Sequence, residues 1–386
     1  MTKTKSILIL VVVFVVSTLL SYWFFLGSTL NLQKQVVKPH IPNSNGALSF
    51  DDTKPKTESC PLNGALYSKD QRQWWETHRP LGIMVENHEN SRPQSGIIGA
   101  DVVYEVISEG GITRFLTIFY CRDAGQVGPI RSARTYFLDI ISEYGDSPLY
   151  VHVGGANTDG PANALGQIEQ YGWVGYNDIN QFSVGFPTFW RDYDRLGHET
   201  ATEHTMYSTT KKLWDLAKLR GLTNVDKKGN PWDGKFVPYS FKDDASPTQR
   251  GNPQTIHLEF WKNYSNYFVD WIYDKEANIY KRNNGGKQHI DRDNNKQITV
   301  KNIVVLFMQE NSANDGYENN LHLLYKTKGI GRATIFMDGQ KITGTWRKET
   351  RTSRMQIFDS AGLPVKFDRG VLWFDILPID GVATVQ

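Results

Sequence analysis

The sequence predicts an α+β protein whose second half is built from strands. Between residues 80 and 222, runs with two-residue apolar alternation are interspersed with runs of helical period. From 252 onward the strand-like alternation dominates. Between the two, residues 226–251 are polar and rich in Gly and Pro, the composition of a connector. The expected organisation is a membrane anchor over 1–33, a flexible stalk over 34–58, a mixed domain over 59–225, the connector, and a smaller β-rich domain over 252–386.

The chain has 386 residues, 39% hydrophobic and 22% charged, which is ordinary globular composition. Its net charge is +2, and both excess cations lie in the opening MTKTK. The remainder is balanced, which argues against a nucleic-acid partner, since a protein that tracks a phosphate backbone carries a basic excess.

Ser6 to Gln33 contains no charged residue. Its core, ILILVVVFVVSTLLSYWFFLG, is long enough to cross about 30 Å of hydrocarbon. Lys3 and Lys5 suit the cytoplasmic side, and Tyr22 and Trp23 suit the far interface. The expectation is a single uncleaved helix in the bacterial cytoplasmic membrane, N-terminus inside, with the main domains extracytoplasmic. A cleaved signal peptide is the rival; its apolar core is usually shorter, and no A-x-A-like site closes this one. The stalk KQVVKPHIPNSNGALSFDDTKPKTE has no periodicity.

The elements follow in order. RPLGIMVENH places Leu81, Ile83 and Val85 on one face of a strand. DVVYEVISEGGITRFLTIFYC reads as two strands joined at Gly110-Gly111, a hairpin turn that tolerates positive φ. RSARTYFLDIISEYG reads as a helix over 132–144 with Ser132 as its cap. SPLYVHVGG is a strand, and PANALGQIEQYG a short helix between Pro161 and Gly172. STTKKLWDLAKLRG is a helix capped by Ser208, with Gly221 past its end. In the second half YFVDWIY, QITVKNIVVLFMQE, GRATIFM, QKITGTW and VLWFDILP read as strands, and Asp338-Gly339 as a hairpin turn.

The chemistry-bearing candidates cluster in the first domain. Arg131 and Arg134 stand where a helix is expected to begin, although a helix N-terminus is already partly positive. Something negative belongs beside them. An anion site formed by Arg131, Ser132 and Arg134 is one answer. Neutralisation by Glu86, Glu105 or Glu109 is the other, and the expected outcome is a mixture, with one arginine held by a carboxylate and the other facing a cleft. If Gly110-Gly111 is a two-residue turn, Glu105 lies diagonal to Arg114, within reach of an ion pair. Glu86, Asn87 and His152 end strands beside polar or Gly-rich loops, where sites are often built. Glu86, Glu105, His152 and His204 are the candidate acids and bases; His204 follows Glu203 in TATEHTMYS. The ligand-binding candidates are Arg131, Ser132, Arg134, Glu86, Asn87, Glu105, Glu109, Arg114 and His152.

HIDRDNN (289–295) lacks a calcium loop's glycine and closing glutamate and reads as a turn. No spacing suggests a metal, and no nucleotide or cofactor motif is present, so no cofactor is expected. Cys60 and Cys121 are either one disulfide of an oxidising compartment or two separate buried thiols. GFPTFWRDYDR (185–195) sets aromatics beside charges, a combination that suits sugar rings, although most such residues are core.

CPLNG, RPLGIMVENH, SRPQSGI, ADVVYEVISEGGITRF, GPIRSARTYF and GFPTFWRD together resemble the YerB family of bacterial cell-envelope proteins. The likeness runs from about residue 60 to the C-terminus, looser through NIVV, TGTWRK and LWFDILP. It implies a domain of layered mixed or antiparallel sheets with helices, then a β-rich domain, and it supplies no reaction. The family includes a predicted lipoprotein; here no cysteine precedes Cys60, and a spanning anchor would do the tethering. Two functions are expected from these residues. One is a tethered envelope protein that binds an anionic or glycan ligand, a cell-wall polymer or an envelope partner. The other is an envelope-polymer hydrolase or lyase.

Overall fold

Several strands are buried on both faces, among them 81–86, 102–109 and 302–308. The computed structural model describes residues 5, 12–23 and 47–386. Residues 12–23 are helical. Among the described residues no helix is long and apolar enough to cross a membrane, and the anchor expected over 1–33 lies largely outside them. The described residues from 47 onward belong to one unit.

The first half supplies β1 (Leu81–Glu86), β2 (Val102–Glu109), β3 (Ile112–Phe119), β4 (Leu149–His152) and β5 (Asp178–Asn180). The second supplies β6 (Thr255–Glu259), β7 (Val269–Asp274), β8 (Ile279–Asn284), β9 (Asn302–Met308), β10 (Gly329–Met337), β11 (Gln340–Lys348), β12 (Gln356–Asp359), β13 (Leu372–Pro378) and β14 (Val382–Val385). Ten of these form one mixed sheet in the order β12-β11-β10-β9-β13-β2-β3-β1-β4-β5. The two halves of the chain therefore meet within one sheet, where β13 runs parallel to β2. A second sheet contains β8, β7, β6 and β14 in that order.

Period-two alternation sends successive residues of β2 to opposite layers. Tyr104 points to the helical side, where its hydroxyl donates to Glu143 at 2.9 Å and its ring stacks on Phe374 at 4.6 Å. Glu105 points to the second sheet and meets Arg282 of β8. Gly82 of β1 leaves room for the Ile141 side chain; a Cβ there would lie 2.5 Å from it. This unit is thus layered as helices, central sheet and second sheet, and the α+β class follows.

Several local expectations are corrected. The helix expected over 132–144 runs only Thr135–Ile141, with Arg134 at its N-cap position. Ser132 is not the cap; its carbonyl accepts from Arg114. The later helix, Thr210–Leu219, is capped by Thr209 rather than Ser208, whose hydroxyl donates to the Thr188 carbonyl. Residues 48–50, placed in the stalk, are held: the Leu48 amide donates to Asp123 and Phe50 packs on Trp74. HIDRDNN is the turn of a small hairpin, and Asp291 within it accepts from the Gly96 and Ile98 amides. Asp338-Gly339 joins β10 to β11 with both residues at positive φ.

Cys60 is bonded to Cys121 across 61 residues of sequence. This ties the start of the folded unit to the residues just after β3. Reduction is expected to lower the unfolding free energy by about 2–4 kcal/mol, because the open loop regains chain entropy. Thiol labelling of the unreduced, denatured protein checks the bond, and two labelled thiols contradict it.

Lys242 reaches both Asp338 and Asp368 where residues 240–242 pair with 366–368. Burial, only partly offset by Lys242, raises the Asp368 carboxyl to about 7. A carboxyl raised on folding holds its proton more tightly in the folded state. Its contribution to stability is complete below the unfolded value and is lost as pH rises through about 7. Asp368→Asn is therefore expected to gain on the wild type in urea midpoint between about pH 5 and about pH 8. Parallel pH profiles for the two proteins contradict this.

Candidate functional site

The two arginines of RSAR part company. Arg134 is buried and paired with Glu109, and it also donates to the Ala133 carbonyl at 2.6 Å. Arg114 stands 3.5 Å from the same carboxylate and donates to the Ser132 carbonyl at 2.7 Å. Burial alone would raise the Glu109 carboxyl, but the Arg134 and Arg114 charges outweigh it and bring it down to about 2. Arg134, Glu109 and Arg114 form a structural knot that locks the β2–β3 hairpin against the start of the 135–141 helix.

Arg131 remains 29% exposed and contacts Glu86 at 3.2 Å through Nε alone. It lines a cleft of about 560 Å³ with Ser132, Gly154, Phe182, Arg191 and Glu203 among its walls. Arg191 is the second cation there. Its Nη1 donates to the Thr202 carbonyl and the Thr205 hydroxyl, at 2.5 and 3.3 Å, and it makes no ion pair among the described residues. It belongs to GFPTFWRDYDR, where the aromatic neighbours drew attention away from the cation. Glu203 sits at the rim; its own backbone amide, then His204 and Arg131 nearby, lower its carboxyl.

Behind Arg131 lies a carboxylate–imidazole pair. Glu86 ends β1 and is buried, and its Oε2 meets His204 Nδ1 at 2.8 Å. His204 Nε2 makes no hydrogen bond among the described residues, and its ring stacks on His88 with centroids 4.8 Å apart. Burial, then the neighbouring His204, lowers the His88 ring below its ordinary range.

The other candidates are walled into the core. Glu105 is completely buried and accepts from Arg282 at 2.5 Å and from Thr113 at 2.7 Å. The diagonal pair with Arg114 does not form. Ile107 pairs with Thr113 but Glu109 with Ile112, so a bulge at Ser108 shifts the register by one residue. Arg114 then faces Val106 and lies on the opposite side of the sheet from Glu105. Asn87 is buried too; its Oδ1 accepts from Arg92, Gln94 and Asn284, and its amide donates to Thr113. His152 is completely buried, with Nδ1 at 2.6 Å from the Gly154 carbonyl and Nε2 at 2.6 Å from Asp178. None of these three reaches the cleft. They brace the strands from which it is built.

Apart from Glu105, sequence reasoning missed the deepest charges. Arg282 is fully buried, its guanidinium 4.8 Å from the Trp373 ring, and it donates to His289 as well as to Glu105. Asp375 lies in register with Glu105 on the adjacent strand and accepts from Trp271 and Trp373. Burial, then the neighbouring Glu105, raises its carboxyl well above the ordinary range. On the other face Glu143 binds Lys348 at 3.1 Å and Arg354 at 2.6 Å. In IYKRNN, Arg282 shares the inward face with Tyr280 and Asn284 while the apolar Ile279 lies on the other, so no apolar alternation in the sequence marks this network.

With this geometry in view, comparisons with known proteins give the lineage. The family described as protein of unknown function (DUF3048) matches twice, by its N-terminal domain over residues 66–223 and by its C-terminal domain over 256–374. The chain is 29% identical over 337 residues to the Bacillus subtilis (strain 168) protein named "Putative lipoprotein YerB", covering 87% of this chain and 90% of that one. The crystal structure of YerB protein from Bacillus subtilis matches with a TM-score of 0.68 at 25% identity, over 86% of this chain and 100% of that one.

Proposed function

The chain belongs to the YerB family, and from that premise we propose that it is a tethered extracytoplasmic envelope protein that binds an anionic ligand in the Arg131–Arg191 cleft. The observation that carries the reading is Arg191, a cation lining the cleft with no ion pair among the described residues. Arg131 beside it is only partly neutralised, through one nitrogen. A guanidinium with free N–H groups is suited to a carboxylate or phosphate. The Cys60–Cys121 bond suits an oxidising compartment outside the cytoplasm. The uncharged run from Ser6 to Gln33 would supply the tether as a single pass with its N-terminus inside.

Full-length protein in detergent, mixed with purified anionic wall polymer, is expected to sediment with it and to be released by salt. Failure to sediment at low salt contradicts the reading. Protease added to intact spheroplasts is expected to digest the region beyond residue 34, and a protected domain contradicts the topology.

One observation favours a second reading, a hydrolase or lyase of wall polymer. Glu86 orients His204 through Nδ1 and leaves Nε2 unbonded, the arrangement of a general base. Release of soluble polymer fragments that stops with His204→Gln supports it. Sedimentation without release upholds binding.

A further inference from the structure

The cleft wall adds an aromatic plate to its two cations. Phe182 is 75% exposed and lies against the backbone of Gly154, where a Cβ would come within 3.0 Å of its ring. The segment that follows holds Phe186, 65% exposed, and Tyr193, 53% exposed, while Phe189 and Trp190 between them are buried. The buried pair anchors the segment and leaves its other aromatics facing solvent. A lone exposed aromatic needs no explanation, but one that lines a polar cleft beside two guanidiniums has a ligand chemistry. The flat apolar face of a pyranose stacks on such a ring, while its charged substituent seeks the arginines.

The third charged group sharpens the ligand. Glu203 is a carboxylate in the same lining. A ligand with one anionic group per ring, free or as a unit of a polymer, can keep that group on the arginine side and away from Glu203. A bare lipid headgroup or free phosphate would use the arginines and leave Phe182 idle.

We propose that the cleft recognises an acidic sugar unit, a pyranose bearing a single phosphate or carboxylate, with the anion on Arg131 and Arg191 and the ring on Phe182. This rests on the anion-binding reading above and names its ligand class.

The test is isothermal titration of the full-length protein with four probes: N-acetylglucosamine 6-phosphate, N-acetylmuramic acid, neutral N-acetylglucosamine and inorganic phosphate. A fifth arm uses vesicles containing phosphatidylglycerol. At least one acidic sugar is expected to bind about five- to tenfold more tightly than inorganic phosphate and the neutral sugar. Phe182→Ala is expected to erase that advantage while leaving the affinity for inorganic phosphate unchanged. Arg191→Ala is expected to weaken both. Equal affinity for acidic sugar and inorganic phosphate, an unaffected Phe182→Ala variant, or preference for the vesicles overturns the acidic-sugar proposal and leaves anion binding standing. If Arg191→Ala alters the binding of no probe, the anion-binding reading falls as well.

Discussion

Arg282→Ala is expected to lower the unfolding free energy by about 3–5 kcal/mol. The guanidinium is wholly buried and pairs with a wholly buried Glu105. Removing it strands that carboxylate in the core beside the equally buried Asp375. It also empties a space flanked by Phe115, Trp271 and Trp373. The double variant Arg282→Met with Glu105→Leu is expected to recover most of the loss, because it removes both charges and keeps the volume. Denaturant titrations of the three proteins decide the matter. A single variant as stable as the wild type would mean that Arg282 bridges nothing.

The second large effect separates the two arginines of RSAR. Arg134→Ala is expected to cost about 3–5 kcal/mol, since Glu109 loses the nearer of the two arginines that together outweigh its burial. Arg131→Ala is expected to cost about 1 kcal/mol or less, because its head is partly in water and Glu86 keeps His204. The loss expected for Arg131→Ala is of ligand binding instead. Equal destabilisation by both would return the whole segment to architecture.

The sequence carried the elements better than their assembly. The strands 81–86, 102–109 and 112–119 were legible because their apolar residues alternate and Gly110-Gly111 marks the turn. The sharing of one sheet by both halves was not, since nothing local to VLWFDILP says that its edge will pair with VVYEVI. The Ser108 bulge is one residue long, yet it exchanged the partners of Glu105 and Arg114. One helix cap slipped because Ser208 and Thr209 can both fill the position; the other because the 135–141 helix starts without a side-chain cap, Arg134 at its N-cap position having no acceptor to offer. Among site residues, Arg131 and Glu86 were legible as charges beside a strand end. Arg191 was hidden in an aromatic run, and the Arg282 network depends on contacts about 180 residues apart.

The central claim is that Arg131 and Arg191 form an anion-binding cleft while Arg134 is structural. The most direct test is titration of full-length wild type and Arg191→Ala with purified anionic wall polymer at low salt, with unfolding midpoints measured on the same samples. The account predicts binding that is about tenfold or more weaker in the variant, with an unchanged midpoint. Equal binding by the two proteins would contradict it.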